Sequence, residues 1–292
     1  MASLKEVRNR IASVKSTQQI TSAMKMVAAS KLRKAQTGIL TLRPFAEKQQ
    51  QLLQRLSGDT SITLPGGLSD KRETNKTLYV VFSSNRGLSG AFNANVIKKT
   101  LSSVEAVKKH HPGEQISLIT IGRKASEFFA KTDLKPLKIY DSIYDELTMA
   151  RASEVADHLM NIFIEGQYDR IFLIYHQFKN AVIQNLIVEQ FLPVEPQATD
   201  TKGSIPDYIF EPSRDEILIS IVPRILRTQI YKALLDSWAS EQGARMTAMS
   251  QATDNASELL NELKLTYNKA RQAAITNEIL EIVSGAEALN KN

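Results

Sequence analysis

"GARMTAMSQATDNASELLNELKLTYNKARQAAITNEILEIVSGAEAL", residues 243–289, contains no proline and only two glycines, Gly243 and Gly285. The same proline-free pattern begins at Arg224. A continuous helix over residues 224–289 would be about 100 Å long at a rise of 1.5 Å per residue. Such a helix is longer than a globular domain of this size is wide. We therefore expect it to project from the rest of the chain.

Small and apolar residues recur along this stretch in alternating steps of four and three, which is the heptad pattern of a coiled coil. They are Ala252, Ala256, Leu259, Leu263, Thr266, Ala270, Ala273, Asn277 and Leu280. Because most of these side chains are Ala, Thr or Leu, a partner helix can approach closely.

The partner helix is predicted at the other end of the chain, where residues 1–56 have the pattern of one long helix. Its seam consists of Leu4, Val7, Ile11, Val14, Gln18, Thr21, Lys25, Ala28, Leu32 and Ala35. Gln18, Thr21 and Lys25 make this seam partly polar. Pro44 is expected to kink the helix or to begin a second segment. We expect the two helices to pair antiparallel, as a shaft.

The middle of the chain alternates between strand and helix patterns. Short apolar, β-branched and aromatic runs predict strands at residues 77–84, 116–122 and 170–178. Amphipathic stretches predict helices at residues 94–109 and 144–165. Residues 179–194 predict one further strand, joined by a hairpin and at an edge. This alternation indicates an α/β domain with a largely parallel sheet.

The predicted fold class is therefore an α/β domain inserted between the two helices of a long antiparallel coiled coil. The predicted division is an N-terminal shaft helix at 1–56, a loop at 57–76, the α/β domain at 77–192, a connector at 193–212 and a C-terminal shaft helix at 213–292.

Basic charge is concentrated at the N-terminus. The net charge is +6, and residues 1–36 hold eight Lys and Arg residues against one acidic residue, Glu6. A transit peptide, a nucleic-acid-binding arm, a membrane-surface helix and half of a coiled coil all share this composition. The helical pattern runs on without a break near a cleavage point, and the basic residues lie on several helix faces without interleaved aromatics. These features favour the coiled coil, with a scaffold or nucleic-acid-binding coiled-coil protein as the alternative.

The residues that carry chemistry in enzymes form no recognised motif here. The chain has no cysteine, which excludes disulfides, thiol nucleophiles and thiolate metal sites. "SSNRGLSGAFN", residues 83–93, stands between a predicted strand and helix, but it matches neither phosphate-loop pattern and misses the nucleophile elbow at Ala91. The four histidines, His110, His111, His158 and His176, lack metal-ligand spacing. We expect no catalytic residue, no metal and no cofactor.

Three segments resemble the gamma-subunit family of the F-type ATP synthases. "IASVKSTQQITSAMKMVAASKLRKAQ" (residues 11–36) and residues 241–289 are similar to that family's two ends, and "SSNRGLSGAFN" is similar to its central motif. The family usually has Cys where this chain has Ser89. The resemblance runs from Leu4 to Leu289 in the right order, and "ITNEILEIVSGAEA" is its most specific signature.

The resemblance implies a rotor without catalytic activity. In this family the terminal helices lie inside a ring of three alpha and three beta subunits, and the α/β domain is a foot on epsilon and the membrane-embedded c-ring. Proton or sodium flow turns the ring, and the shaft drives the catalytic sites on beta through their states. The expected partners are thus alpha, beta, epsilon and the c-ring in a hetero-oligomer, with no nucleic acid, and with membrane association through the c-ring only.

The resemblance also implies which residues contact partners. Arg271 and Gln272 match residues that hydrogen-bond an acidic catch loop of beta. Met24 and Lys25 match a shaft segment near the acidic lever loop of beta, and Asn85, Arg86 and Ser89 belong to a turn near the same levers. Tyr208 matches the foot region near epsilon and the c-ring. Since the chain shows no cleavable leader, we expect it at the cytoplasmic face of the bacterial plasma membrane, as a peripheral subunit, with a processed organellar chain as the alternative.

Overall fold

The computed structural model describes residues 4–56, 67–70, 72–194, 211 and 213–290. Its elements are α1 (Leu4–Leu56), β1 (Lys76–Phe82), α2 (Phe92–His110), β2 (Gln115–Ile121), α3 (Arg123–Phe129), β3 (Pro136–Tyr140), a 3-10 turn (Ser142–Tyr144), α4 (Met149–Ile164), β4 (Arg170–Phe178), β5 (Gln184–Leu192) and α5 (Arg214–Asn290). The chain divides into two compact units. The two-helix unit comprises Met1–Val27 and Met246–Asn292, and the sheet unit comprises Ala28–Arg245.

The two long terminal helices are confirmed. Helix α1 continues through Pro44 to Leu56, so the proline does not end it. Helix α5 contains Pro223 and extends over 77 residues. Both helices contribute residues to both units.

In the two-helix unit, α1 and α5 are antiparallel and are joined by side-chain hydrogen bonds. Arg8 Nη2 donates to Tyr267 Oη (3.2 Å), Gln18 Nε2 to Ser257 Oγ (2.7 Å) and Lys25 Nζ to Ser250 Oγ (2.9 Å), and the hydroxyls of Thr21 and Thr253 lie 2.8 Å apart. Residue numbers rise along α1 as they fall along α5, which is the predicted antiparallel pairing.

The seam on α5 differs in phase from the prediction. The buried positions from Met249 onward are Met249, Ala256, Leu260 and Leu263, and the half-buried ones include Ala252, Thr253, Leu259, Tyr267 and Ala270. Leu260 is thus buried more deeply than the predicted Leu259, which is half-buried, and Tyr267 takes the place of the predicted Thr266, which is exposed. Ala273, Asn277 and Leu280 are exposed; the antiparallel register places Leu4, the first described residue of α1, near Ala270.

The sheet unit is built on five strands in the order β3-β2-β1-β4-β5. Strands β1, β2, β3 and β4 pair in parallel, and β5 is an antiparallel edge strand joined to β4 by a hairpin. This confirms the largely parallel sheet and its hairpin-linked edge. Helix α3 and strand β3 were missed by the sequence reasoning, because β3 is a five-residue segment that begins with proline and is largely exposed.

Helices cover both faces of this sheet. On one face, Leu78, Val80 and Phe82 of β1 belong to a core with residues of α4 and α5. On the other, Tyr79 and Val81 belong to a core with residues of α2 and α3. Strand β1 is buried on both faces, which explains its nearly continuous apolar sequence. Helix α4 begins at Met149, later than predicted, because the Thr148 side chain accepts a hydrogen bond from the Arg151 N–H.

Candidate functional site

The predicted partner-contact turn connects β1 to α2 in the sheet unit; we call residues 85–90 the GLSG turn. Asn85 fixes its beginning, because Asn85 Nδ2 donates to the Asp141 carbonyl (2.5 Å) and Asn85 Oδ1 accepts from the Arg123 N–H (3.1 Å). Asp141 is the first residue after β3, and Arg123 is the second residue after β2. The Asn85 side chain thus ties the carboxyl ends of three parallel strands together.

The exposed apex of the GLSG turn is Leu88, a residue that the sequence analysis did not single out. Its φ angle is +64°, and 64% of its surface is exposed. Gly90 follows with φ +58°. A left-handed conformation is unfavourable for residues with a Cβ atom, so an apolar side chain held out in this way marks the turn as a candidate contact point.

Ser89 and Arg86 have opposite environments in this turn. Ser89 is only 1% exposed, and its Oγ accepts a hydrogen bond from Asn93 Nδ2 (3.3 Å). Asn93 Nδ2 also donates to Ser84 Oγ (2.8 Å), which donates to the Arg86 carbonyl (2.6 Å). Arg86 itself is exposed. Arg86 can therefore reach a partner directly, whereas Ser89 acts in this structure on the shape of the turn.

Helix α5 also contacts the GLSG turn. Arg245 is buried; its Nη1 donates to the Gly87 carbonyl and its Nη2 to the Arg86 carbonyl (3.4 Å). The same guanidinium pairs with Glu241, one helical turn earlier. No local sequence signal indicated this contact, since Arg245 and the turn are far apart along the chain.

Met24 and Lys25 lie on α1 in the two-helix unit. Met24 is half-buried, and Lys25 is exposed with its Nζ 2.9 Å from Ser250 Oγ. The next residues, Met26 and Val27, are both more than half exposed. Lys25 was predicted in the seam, but the structure places its side chain at the surface beside the seam.

Arg271 and Gln272 are exposed on α5, beyond the last seam residue. Several large apolar side chains of the same segment are exposed as well: Ile275, Ile279, Leu280, Ile282 and Val283. An exposed apolar series of this kind is typical of a surface that a partner covers.

The two candidate sites of the two-helix unit are far apart. Lys25 is level with Ser250, and Arg271 lies 21 residues further along α5, which corresponds to about 30 Å of helix. The structure therefore does not bring Met24 and Lys25 together with Arg271 and Gln272. Tyr208 lies outside the described residues.

Burial shifts the pKa values of several ionisable groups of the sheet unit, among them Asp236 and His176. Burial raises the pKa of Asp236 to about 6, against the opposing charges of Lys232 and Arg43. Burial lowers the pKa of His176 to about 4, and its ring stacks on Phe92 at 4.2 Å. Within the described ranges, no group of three or more His, Asp or Glu side chains could hold a metal ion.

A helix crosses a membrane only if it is both long and apolar, and the helices were compared with these two conditions over the described part of the chain alone. None meets both conditions.

Comparison with known proteins gives matches over nearly the whole chain. The family model described as ATP synthase matches residues 3–289. The chain is 54% identical over 290 residues to an ATP synthase gamma chain of Flavobacterium johnsoniae, covering 99% of this chain and 100% of that protein. It is 47% identical over 294 residues to an ATP synthase gamma chain of Cytophaga hutchinsonii, with 99% and 100% coverage.

Solved structures with the same fold come from mitochondrial ATP synthases. A chain in the central stalk and c-ring structure from Tetrahymena thermophila is 25% identical, with a TM-score of 0.58 and coverage of 80% of this chain and 99% of that one. A chain in the Euglena gracilis complex of OSCP, F1 and c-ring is 21% identical, with a TM-score of 0.70 and coverage of 98% and 94%. The second likeness concerns the fold alone.

The full-length identities confirm the resemblance seen in the three sequence segments. They extend over both terminal helices and the sheet unit between them, in one chain order. The chain belongs to the ATP synthase gamma chain family.

Proposed function

We propose that this chain acts as the central rotor stalk of an F-type ATP synthase and transmits rotation between the membrane c-ring and the catalytic sites. The observation that carries this proposal is the full-length identity with gamma chains, at 54% over 290 residues. The catalytic sites belong to the beta subunits, and this chain contributes torque and no reacting group.

The shaft works through separate contact levels on beta. At one level, Arg271 and Gln272 bind the acidic catch loop. At the other, Met24 and Lys25 approach the acidic lever loops. The spacing of about 30 Å along α5 supports this assignment, because one short loop cannot reach both places at once.

The GLSG turn is proposed to contact the same lever loops. Its exposed Arg86 supplies a positive charge for an acidic loop, and Leu88 supplies an apolar contact beside it. Ser89 supports the turn from within through its bond with Asn93.

The seam of the two-helix unit suits a shaft that turns inside a sleeve. Thr21, Thr253, Gln18 and Ser257 add polar hydrogen-bonded layers that join the two helices, beside apolar residues such as Leu260 and Leu263. Exposed charges such as Lys25 offer attractions of about 0–1 kcal/mol each, which rotation can break.

The other end of the rotor contacts the membrane complex. We propose that Tyr208 belongs to a foot that binds epsilon and the c-ring. The chain would then be a peripheral subunit at the cytoplasmic face of the bacterial plasma membrane, driven by proton or sodium flow.

The experiment replaces Arg271 and Gln272 together by Ala in the assembled complex. We expect alpha and beta to co-purify with the variant, and coupled ATP synthesis to fall. The matched control replaces Lys98 and Lys99 of α2, two exposed helical residues outside the candidate sites, by Ala. Normal synthesis and ion pumping in the Arg271→Ala, Gln272→Ala variant would contradict the catch. Salt-sensitive binding of nucleic acid in place of alpha and beta would contradict the rotor.

A further inference from the structure

The buried ion pair of Glu241 and Arg245 on α5 is not among the residues proposed above to contact partner subunits. The side chains are 9% and 10% exposed, and Arg245 Nη2 pairs with Glu241 Oε1. Burying two charges costs free energy unless their geometry is well satisfied. The buried guanidinium therefore needs hydrogen-bond acceptors in addition to Glu241.

Arg245 donates hydrogen bonds to the backbone in the middle of the GLSG turn. Its two terminal nitrogens reach two successive carbonyls, those of Arg86 and Gly87. A guanidinium can do this because its donors form a planar fork, whereas the ammonium group of lysine is a single point.

The turn needs support at this place. Leu88 and Gly90 both have positive φ angles, and the Leu88 side chain is exposed, so its own packing contributes little to its conformation. Asn85 anchors the beginning of the turn, and the bond between Ser89 and Asn93 anchors its end. The Phe92 N–H also donates to the Ser89 carbonyl (3.3 Å). The carbonyls of Arg86 and Gly87, in the middle of the turn, accept from Ser84 and Arg245.

Glu241 keeps the guanidinium in place. Burial raises the pKa of Glu241, while Arg245 first, and then Lys31 and Arg86, act in the opposite direction. The carboxylate thus compensates a cation that would otherwise be buried without a partner.

We infer that Arg245, aligned by Glu241, is a positioning residue that fixes the GLSG turn to α5, so that Leu88 and Arg86 are presented to a partner loop. The inference deepens the contact proposed above for this turn and rests on it for its functional meaning. Motion of α5 at Arg245 is then passed directly to the contact surface.

The test uses a probe at Leu88. Because the chain has no cysteine, Leu88→Cys can be labelled with a nitroxide at a single position of the full chain. Electron paramagnetic resonance then compares Arg245→Met and Arg245→Lys in this background. Arg227→Met is the matched control, since Arg227 is also on α5 and pairs with Asp157, without any bond to the turn.

Loss of charge-assisted hydrogen bonds should raise the mobile fraction of the label about tenfold in Arg245→Met. Arg245→Lys should lie between that variant and the parent, and Arg227→Met should match the parent. A parent-like spectrum in Arg245→Met, or an equal rise in Arg227→Met, would overturn the inference. Should Arg245→Met fail to fold, Arg245→Lys carries the comparison, and a parent-like spectrum there overturns it.

A second readout separates this inference from the proposed function. Coupled ATP synthesis is measured for Arg245→Met in the assembled complex, with Leu88 intact. A loosened turn with a matching fall in coupling supports both. A loosened turn with normal coupling leaves Arg245 as the positioning residue and removes the contact proposed for the turn. Lost coupling with an unmoved label overturns the positioning role.

Discussion

Replacing Arg170 by Met should destabilise the sheet unit strongly, because it leaves a buried carboxylate without its cation. Glu114 precedes β2, and its side chain is 1% exposed. Arg170 Nη2, at the start of β4, lies 3.2 Å from both carboxylate oxygens. The Thr77 hydroxyl of β1 donates to Glu114 Oε1 as well. One carboxylate therefore joins the amino ends of three parallel strands.

The magnitude follows from how the two partners are buried. Breaking a buried ion pair by removing one partner costs about 3–5 kcal/mol, because the remaining charge is desolvated without compensation. Arg170 is 29% exposed, so we expect a loss near the lower limit, about 3 kcal/mol. The same substitution at Arg227, whose pair with Asp157 is 36% and 41% exposed, should cost only about 0–1 kcal/mol.

The assay is equilibrium unfolding in urea, followed by the fluorescence of the single tryptophan. Trp238 is half-buried on α5 within the sheet unit, so it reports on that unit. With a urea dependence of about 2–3 kcal/mol per molar, the midpoint of Arg170→Met should fall by roughly 1 M or more. Adding Glu114→Gln to Arg170→Met should restore part of the loss, since the unpaired charge disappears. Equal midpoints for Arg170→Met and Arg227→Met, or no recovery in the double variant, would refute this reasoning.

Three further outcomes are expected. Lys25→Glu reverses an exposed charge proposed to face acidic loops of beta, so ion pumping per ATP hydrolysed should fall severalfold, in line with about 1 kcal/mol; unchanged coupling would leave the charge with a solvating role only. Asp236→Asn should stabilise the chain by about 2 kcal/mol at pH 7.5. The pKa of Asp236 is about 6 in the folded chain and 3.8 in the unfolded chain, so ionisation of the aspartate destabilises the fold as pH rises through this window. Circular dichroism melts should show no gain in stability for the variant below pH 4, and a gain independent of pH would contradict this origin. Gly122→Ala should lower the free energy of unfolding by roughly 3 kcal/mol or more, because Gly122 has φ +94° and an added Cβ would lie 2.1 Å from the Ser83 carbonyl oxygen. The control is Gly87→Ala, where an added Cβ meets nothing within 4 Å. Equal melting temperatures for the two variants would be incompatible with the clash.

The long helices and the sheet were predictable because their patterns are local. Strand β1 is apolar from Leu78 to Phe82, and α5 lacks proline from Arg224 onward. The phase of the α5 seam was not predictable, since Leu259 and Leu260 are adjacent and only the register with α1 decides which is buried. Strand β3 escaped because it is a short, exposed edge segment.

The candidate sites divide in the same way. Family motifs pointed to the GLSG turn, yet they did not indicate that Ser89 is buried or that Leu88 forms the exposed apex. Arg245 and Glu114 depend on contacts between residues distant in the chain. A sequence pattern records the period of burial, and it does not record which charged side chain the fold encloses.

The central claim, that this chain rotates as a stalk, is tested most directly by watching it turn. Lys99→Cys places a unique thiol on the exposed surface of α2, where a gold rod can be attached. The assembled head is fixed to glass through its beta subunits, and ATP is added. The account predicts that the rod turns in steps, in one direction, while ATP is hydrolysed. A rod that stays still relative to the head during continued hydrolysis would contradict it.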